Sequence, residues 1–193
     1  MQRRLVLHLP VAALAGSAGL GMLPGTAATA RAQSAAPALP AELATELPTA
    51  QLRGSATMRW LGLAIYDIAL WSPVAVRGEE PAGPLALSLR YARSLKGRAI
   101  AERSLEEMRR IGQFSAAQGE AWLAAMTRLF PDVGADDRLT GVHQPGRSAR
   151  FFHNGQWRGE VADGQFASLF FGIWLSPRTS GPGLRRQLLG AGA

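Results

Sequence analysis

The side chains able to do chemistry are few, and their spacing limits them. Cysteine is absent, which excludes thiol catalysis, disulfides and Cys-ligated zinc or iron–sulfur centres. His143 and His153 are the histidines outside the N-terminal segment. They fall on neighbouring expected strands. A zinc pair would need a third ligand, and the flanking Gln144, Pro145 and Asn154 supply none. Asp132, Asp136 and Asp137 surround Gly134 in an oxygen-rich loop of the kind calcium favours. The EF-hand spacing and its terminal Glu are missing, so a solvated turn that caps the next strand is the expectation. No Gly-x-Ser-x-Gly elbow occurs, which leaves Ser-His-Asp catalysis without its nucleophile turn. Glu106 and Glu107 are adjacent on an expected helix, about 100° apart, and do not form a catalytic carboxylate pair. No metal and no cofactor are therefore expected.

The balance of charge points the same way. The formal charge is +7 over 193 residues. Arg3, Arg4 and Arg31 supply three of those charges and no acidic residue precedes Glu42, so the remainder carries +4. The arginines are scattered, no Lys/Arg run exceeds two residues, and Lys96 is the single lysine. No nucleic-acid partner is implied.

The start of the chain reads as an export signal over residues 1–32. Arg3-Arg4 precede an apolar stretch from Leu5 to Leu23, and Ala30-Arg31-Ala32 has the small-x-small cleavage pattern. The twin arginines fit either the general or the twin-arginine export route. The expected location is periplasmic or otherwise exported, with no membrane span after cleavage. The competing reading is an uncleaved anchor, against which Pro10, Pro24 and the glycines argue. Gly16-x-x-Gly19-x-Gly21 follows no strand and is not a phosphate loop. Residues 33–50 are rich in Ala and Pro and read as a linker.

Residues 51–190 then supply the elements of one domain. Ala56 to Trp71 is rich in aromatic and branched residues, interrupted at Gly62, and predicts a long bent strand or a tight hairpin. Leu85, Leu87, Leu89 and Tyr91 alternate onto one face of a strand. Ser104-x-x-Glu107 and Ser115-x-x-Gln118 both have capping-box spacing. Trp122, Ala125, Met126 and Leu129 form one helical face ended by Pro131. Arg138 to His143 and Arg147 to His153 read as strands. Asn154-Gly155 is a type I′ hairpin signal leading to a return strand over 156–161. Phe166, Leu169, Phe170, Ile173 and Trp174 repeat at helical spacing, as a core face rather than a ligand box. Leu184 to Leu189 is a short last helix closed by Gly190. Strands, helices, strands, helices in that order predict an α+β fold, an antiparallel sheet with helices on one face.

Leu-Ala-Ile-Tyr-Asp-Ile-Ala-Leu-Trp (63–71), Leu-Phe-Pro-Asp-Val (129–133), Asp-Arg-Leu-Thr-Gly-Val (137–142), Phe-Phe-His-Asn-Gly (151–155) and Phe-Phe-Gly-Ile-Trp-Leu-Ser-Pro-Arg-Thr (170–179), followed by Leu-Arg-Arg-Gln-Leu-Leu-Gly (184–190), occur in this order. Together they resemble the bacterial chalcone isomerase-like proteins over about residues 51 to 190. One departure is Asp136, where the family pattern leads one to expect glycine. The resemblance implies an open-faced β-sandwich of chalcone isomerase type, a large antiparallel sheet with helices layered over a cleft. It also implies site residues. Arg59 is the nearest match to an arginine that positions the phenolate in the plant enzymes, Tyr66 falls at a threonine position, and Ile100 falls near a helix tyrosine with Arg103 one turn on. An isoleucine cannot donate a hydrogen bond, so the proton-handling hydroxyl would be missing.

Three functions are weighed. The first is non-catalytic binding of a fatty acid or other amphipathic small molecule, with Arg59, Tyr66 and Arg103 as ligand-binding residues. The second is a cofactor-free intramolecular isomerase or lyase acting on a phenolic or enone substrate. The third is a structural or partner-binding module of the cell envelope.

Overall fold

The computed structural model describes residues 36–77 and 82–190. The export signal expected over 1–32 lies outside them. Six strands, β1 (Gln51–Trp60), β2 (Leu63–Ser72), β3 (Leu85–Tyr91), β4 (Arg138–Gln144), β5 (Ser148–His153) and β6 (Gln156–Val161), form one antiparallel sheet in sequence order. The long helices are α2 (Gly97–Ile111), α3 (Ala116–Leu129) and α4 (Gly164–Leu175), followed by the short α5 (Pro182–Leu188). A four-residue α1 (Leu43–Glu46) precedes the sheet.

The interruption at Gly62 is a hairpin turn. Trp60 pairs with Leu63, and Leu61 and Gly62 between them take φ of 48° and 80°, the positive values of a type I′ turn. Asn154 and Gly155 do the same between β5 and β6, at 50° and 83°. Asp136 stands where glycine was expected and also has positive φ, 68°. Aspartate is one of the few side chains that tolerate this conformation, so the turn survives the replacement.

The sheet's inner face and the long helices share the main core. Leu85, Leu87, Leu89 and Tyr91 all reach it, as the alternation of the strand requires. Helix α4 carries the centre: Phe166, Phe170 and Phe171 are buried, and Phe166 stacks on Phe170 at 5.5 Å between centroids. Helix α3 opens with the expected capping box, Ser115 and Gln118 each bonding the other's backbone N–H. Ser104 behaves differently. It lies inside α2, where its hydroxyl donates to the Ile100 carbonyl at 2.8 Å. The helix already begins at Gly97, so the Ser-x-x-Glu spacing here serves back-bonding within the helix, not a cap.

Residues 40–50 correct the expectation of a loose linker over 33–50. Leu43 and Leu47 pack with Trp71, Val142 and Phe152 on the sheet's outer face. Buried Glu42 accepts from the Thr140 hydroxyl at 2.5 Å and pairs with Arg138 at 3.2 Å. An Ala/Pro-rich composition conceals two leucines and a carboxylate at the spacing of one helical turn, too short for a periodicity to register.

Buried His143 donates its Nδ1–H to the Gly83 carbonyl at 3.2 Å and meets the Phe171 ring edge-on. Burial pushes its pKa below the ordinary histidine value, which the carbonyl only partly offsets. The unfolded chain therefore binds a proton that the native state refuses. Stability should fall as pH drops below about 6.5 and be flat above it with respect to this residue. Urea midpoints on both sides of that pH test this, and a flat profile would contradict it.

Candidate functional site

A cavity of about 310 Å³ lies between the inner face of the sheet, α2, α4 and the α4–α5 connection. Its wall is mostly apolar, with Leu87 and Leu89 from β3, Ile100 from α2, Phe170 and Ile173 from α4 and Leu184 from α5. That volume is at the small end of ligand pockets. Large rings of α4 meet the sheet at the β4–β5 side, and residues of β2, β3 and α2 contribute further lining.

Polar groups gather around Tyr66. Tyr66 and Tyr91 are cross-strand partners on β2 and β3, their rings edge-to-face at 5.9 Å. The indole N–H of Trp174 donates to the Tyr66 oxygen at 3.0 Å. This leaves the Tyr66 O–H free to donate elsewhere. Tyr91 is 3% exposed, and its hydroxyl has no hydrogen-bond partner among the described residues. Burial raises the pKa of both phenols. Nearby Glu107 raises that of Tyr66 further, and Arg103 and the Trp174 hydrogen bond pull it down. Both phenols therefore keep their protons across the physiological range and act as donors.

Arg103 lies in the cavity wall with its side chain 64% exposed, so it marks where the cavity meets solvent. It pairs with Glu106 at 3.2 Å and with Glu107 one turn away. Glu107, 6% exposed, also faces Arg110 at 3.5 Å. Its burial between two arginines explains why the adjacent glutamates do not act together. Glu106 is a surface partner and Glu107 lies in the cavity wall.

Of the expected site residues, Tyr66 and Arg103 line the cavity and Arg59 does not. Arg59 is exposed, and its guanidinium donates to the Gly62 carbonyl at 3.4 Å. The reason is strand parity. Met58 pairs with Tyr66 and lines the cavity, so its neighbour Arg59 projects from the opposite face. Ile100 stands in the wall one turn before Arg103, as the resemblance implies. Tyr91, Glu107 and Trp174 were not among the site residues expected from the sequence. Tyr91 could have been, since its strand face was legible and only the register with Tyr66 was missing.

The other chemical candidates are spoken for. His143 and His153 sit at opposite ends of the β4–β5 hairpin, their partners being Ala149 and Leu139. Asp132 accepts from Lys96 at 2.6 Å and from the Gly97 N–H at 3.0 Å. Asp137 accepts from the Gly134 N–H and from Asn154. Asp136 pairs with Arg90. These aspartates tie turns together.

Comparison with known proteins agrees with this architecture. A family model described as chalcone isomerase-like matches residues 33–190. A Haemophilus influenzae protein, described as uncharacterized, is 30% identical over 137 residues, which cover 71% of this chain and 66% of that protein. The chain thus spans just under two thirds of that relative. Among solved structures, an Arabidopsis thaliana fatty-acid binding protein superposes with a TM-score of 0.57 at 12% identity, over 74% of this chain and 88% of the other. At that identity the likeness speaks for the fold alone. Among the described residues no helix is long and apolar enough to cross a membrane.

Proposed function

The chain belongs to the chalcone isomerase-like family, and on that premise we propose that it binds, without catalysis, a fatty acid or similar amphipathic small molecule between sheet and helices. One observation carries the reading: an apolar cavity whose wall includes the donor residues Tyr66, Tyr91 and Arg103, with the Tyr66 O–H left free by the Trp174 indole. A head group that accepts hydrogen bonds, such as a carboxylate, suits that donor set. The fatty-acid binding protein of similar fold supports the same choice.

Magnitudes say which part of the ligand matters more. A charge-assisted hydrogen bond contributes about 1.5–3 kcal/mol, and Arg103 already shares its charge with two glutamates. Tail burial contributes about 0.8 kcal/mol per CH₂. Six methylenes therefore outweigh the head, at roughly 5 kcal/mol. Affinity should rise with chain length, by about fifteenfold for each pair of added carbons, until the cavity is full. Calorimetric titration with a series of saturated acids measures this. Affinity independent of chain length would defeat the reading.

The isomerase alternative needs a group ready to take or hold a reacting proton. The two phenols at the cavity hold theirs tightly, the Glu107 carboxylate in the wall is shared between Arg103 and Arg110, Ile100 offers no hydroxyl, and Arg59 does not line the cavity. These observations favour binding. We further propose that the protein works in the periplasm or otherwise outside the cytoplasm, after cleavage of the segment ending in Ala30-Arg31-Ala32. N-terminal sequencing of the mature protein should then begin at Gln33.

A further inference from the structure

The tip of the β1–β2 hairpin gathers apolar surface that the cavity does not use. Trp60, Leu61 and Leu63 are 65%, 81% and 51% exposed, within four consecutive residues. Among the described residues the other large exposed apolar side chains are dispersed, at Leu39, Val74 and Trp157, and Trp157 is covered on one side by Arg150. Leu61 is also misplaced conformationally. Its φ of 48° belongs to a turn position ordinarily taken by Asn, Asp or Gly. A leucine there gains neither burial nor backbone comfort within this chain.

Within the hairpin, from Leu52 to Tyr66, the charge has one sign. No Asp or Glu occurs from Leu52 to Tyr66, and Arg59 is held at the turn by its bond to the Gly62 carbonyl. Tryptophan and leucine beside an unopposed arginine match the interface of an anionic bilayer, where indole sits at head-group depth and the guanidinium meets phosphate. A protein partner fits less well. Three side chains fall far short of the roughly 800 Å² per partner of a stable interface, whereas shallow insertion has no such threshold.

We propose that this hairpin tip docks on an anionic lipid surface, inserting Trp60, Leu61 and Leu63 with Arg59 at the phosphates. Met58 and Tyr66, which pair two and three residues from the tip, line the cavity. Docking would therefore bring the cavity wall within about 7–10 Å of the lipid at ~3.3 Å per strand residue. The docking itself is independent of what the cavity binds.

The chain's lack of cysteine makes a local test direct. Leu61→Cys in the full chain, carrying an environment-sensitive fluorophore, should brighten and shift to the blue on vesicles of phosphatidylcholine and phosphatidylglycerol, and be quenched by brominated lipid. The same label at Gln51→Cys, at the other end of the hairpin, should not respond. In the unlabelled chain, Leu61→Asn suits the turn better and should leave thermal stability unchanged or raised. With Trp60→Ser it should weaken partitioning about tenfold. No response at position 61, an equal response at position 51, or a response that follows protein concentration without vesicles would each overturn the proposal, the last by indicating a second copy of the chain. Fatty-acid titration of the same variants without vesicles should be unaffected, which keeps failure here separate from failure of the binding reading.

Discussion

Phe166→Ala is expected to destabilise the fold by about 3–5 kcal/mol, lowering the melting temperature by roughly 6–20 °C for a domain of this size. Phe166 is fully buried at the N-terminal turn of α4. Its ring stacks on Phe170 and meets Trp122 and Phe151 edge-on, at 5.7 and 6.4 Å. It thus joins α3, α4 and the sheet at one point. The rings around it are held by backbone on three elements and cannot collapse into the gap, which places the loss toward the upper end. The same turn of α4 is anchored by Asp163, which caps the N–H groups of Gln165 and Phe166 and accepts from the Trp122 indole at 3.0 Å. Calorimetric unfolding checks the prediction. A loss below about 1.5 kcal/mol would mean that the ring is poorly packed.

Ile100→Trp should abolish ligand binding at the concentrations where the parent chain binds, by about a hundredfold or more, with little change in stability. Ile100 is half-buried on α2 and faces the cavity. Isoleucine and tryptophan have similar helix propensity, so the helix should persist. An indole in the hollow would displace three or four methylenes of a bound tail, each contributing about 0.8 kcal/mol. Displacement of a fluorescent fatty acid measures the loss, and the melting temperature shows whether the fold is intact. Unchanged binding in a folded variant would move the ligand out of this cavity.

Much of the fold could be read from local pattern. Alternation fixed the inner face of β3, Asn154-Gly155 gave the β5–β6 turn, and Ser115-x-x-Gln118 gave the start of α3. These succeed because each is a contact between residues close in the chain. The failures are of the opposite kind. Ser104-x-x-Glu107 has the letters of a cap, but only the true start of α2 at Gly97 decides its role. The docking of Leu43 depends on Trp71 and Phe152, far away in sequence.

The site divides along the same line. Tyr66 and Arg103 were legible through resemblance, and both face the cavity. Arg59 was legible as a residue type but not as a direction. A bulge between the Met58–Tyr66 and Arg59–Ala64 pairs sets the hairpin's register, and a one-residue difference exchanges the faces of a strand. Tyr91 and Trp174 join the site only through pairing across the sheet and packing of α4 on it.

The claim that a ligand occupies this cavity is tested most directly by isoleucine-methyl NMR during titration with decanoate. The chain has five isoleucines. Ile65, Ile100 and Ile173 line the cavity, whereas Ile68 and Ile111 are buried in the core outside it. Saturable shifts at the first three, with the other two nearly still, are the expected result. Silence at all five, or movement shared evenly among them, would contradict an occupied hollow between sheet and helices.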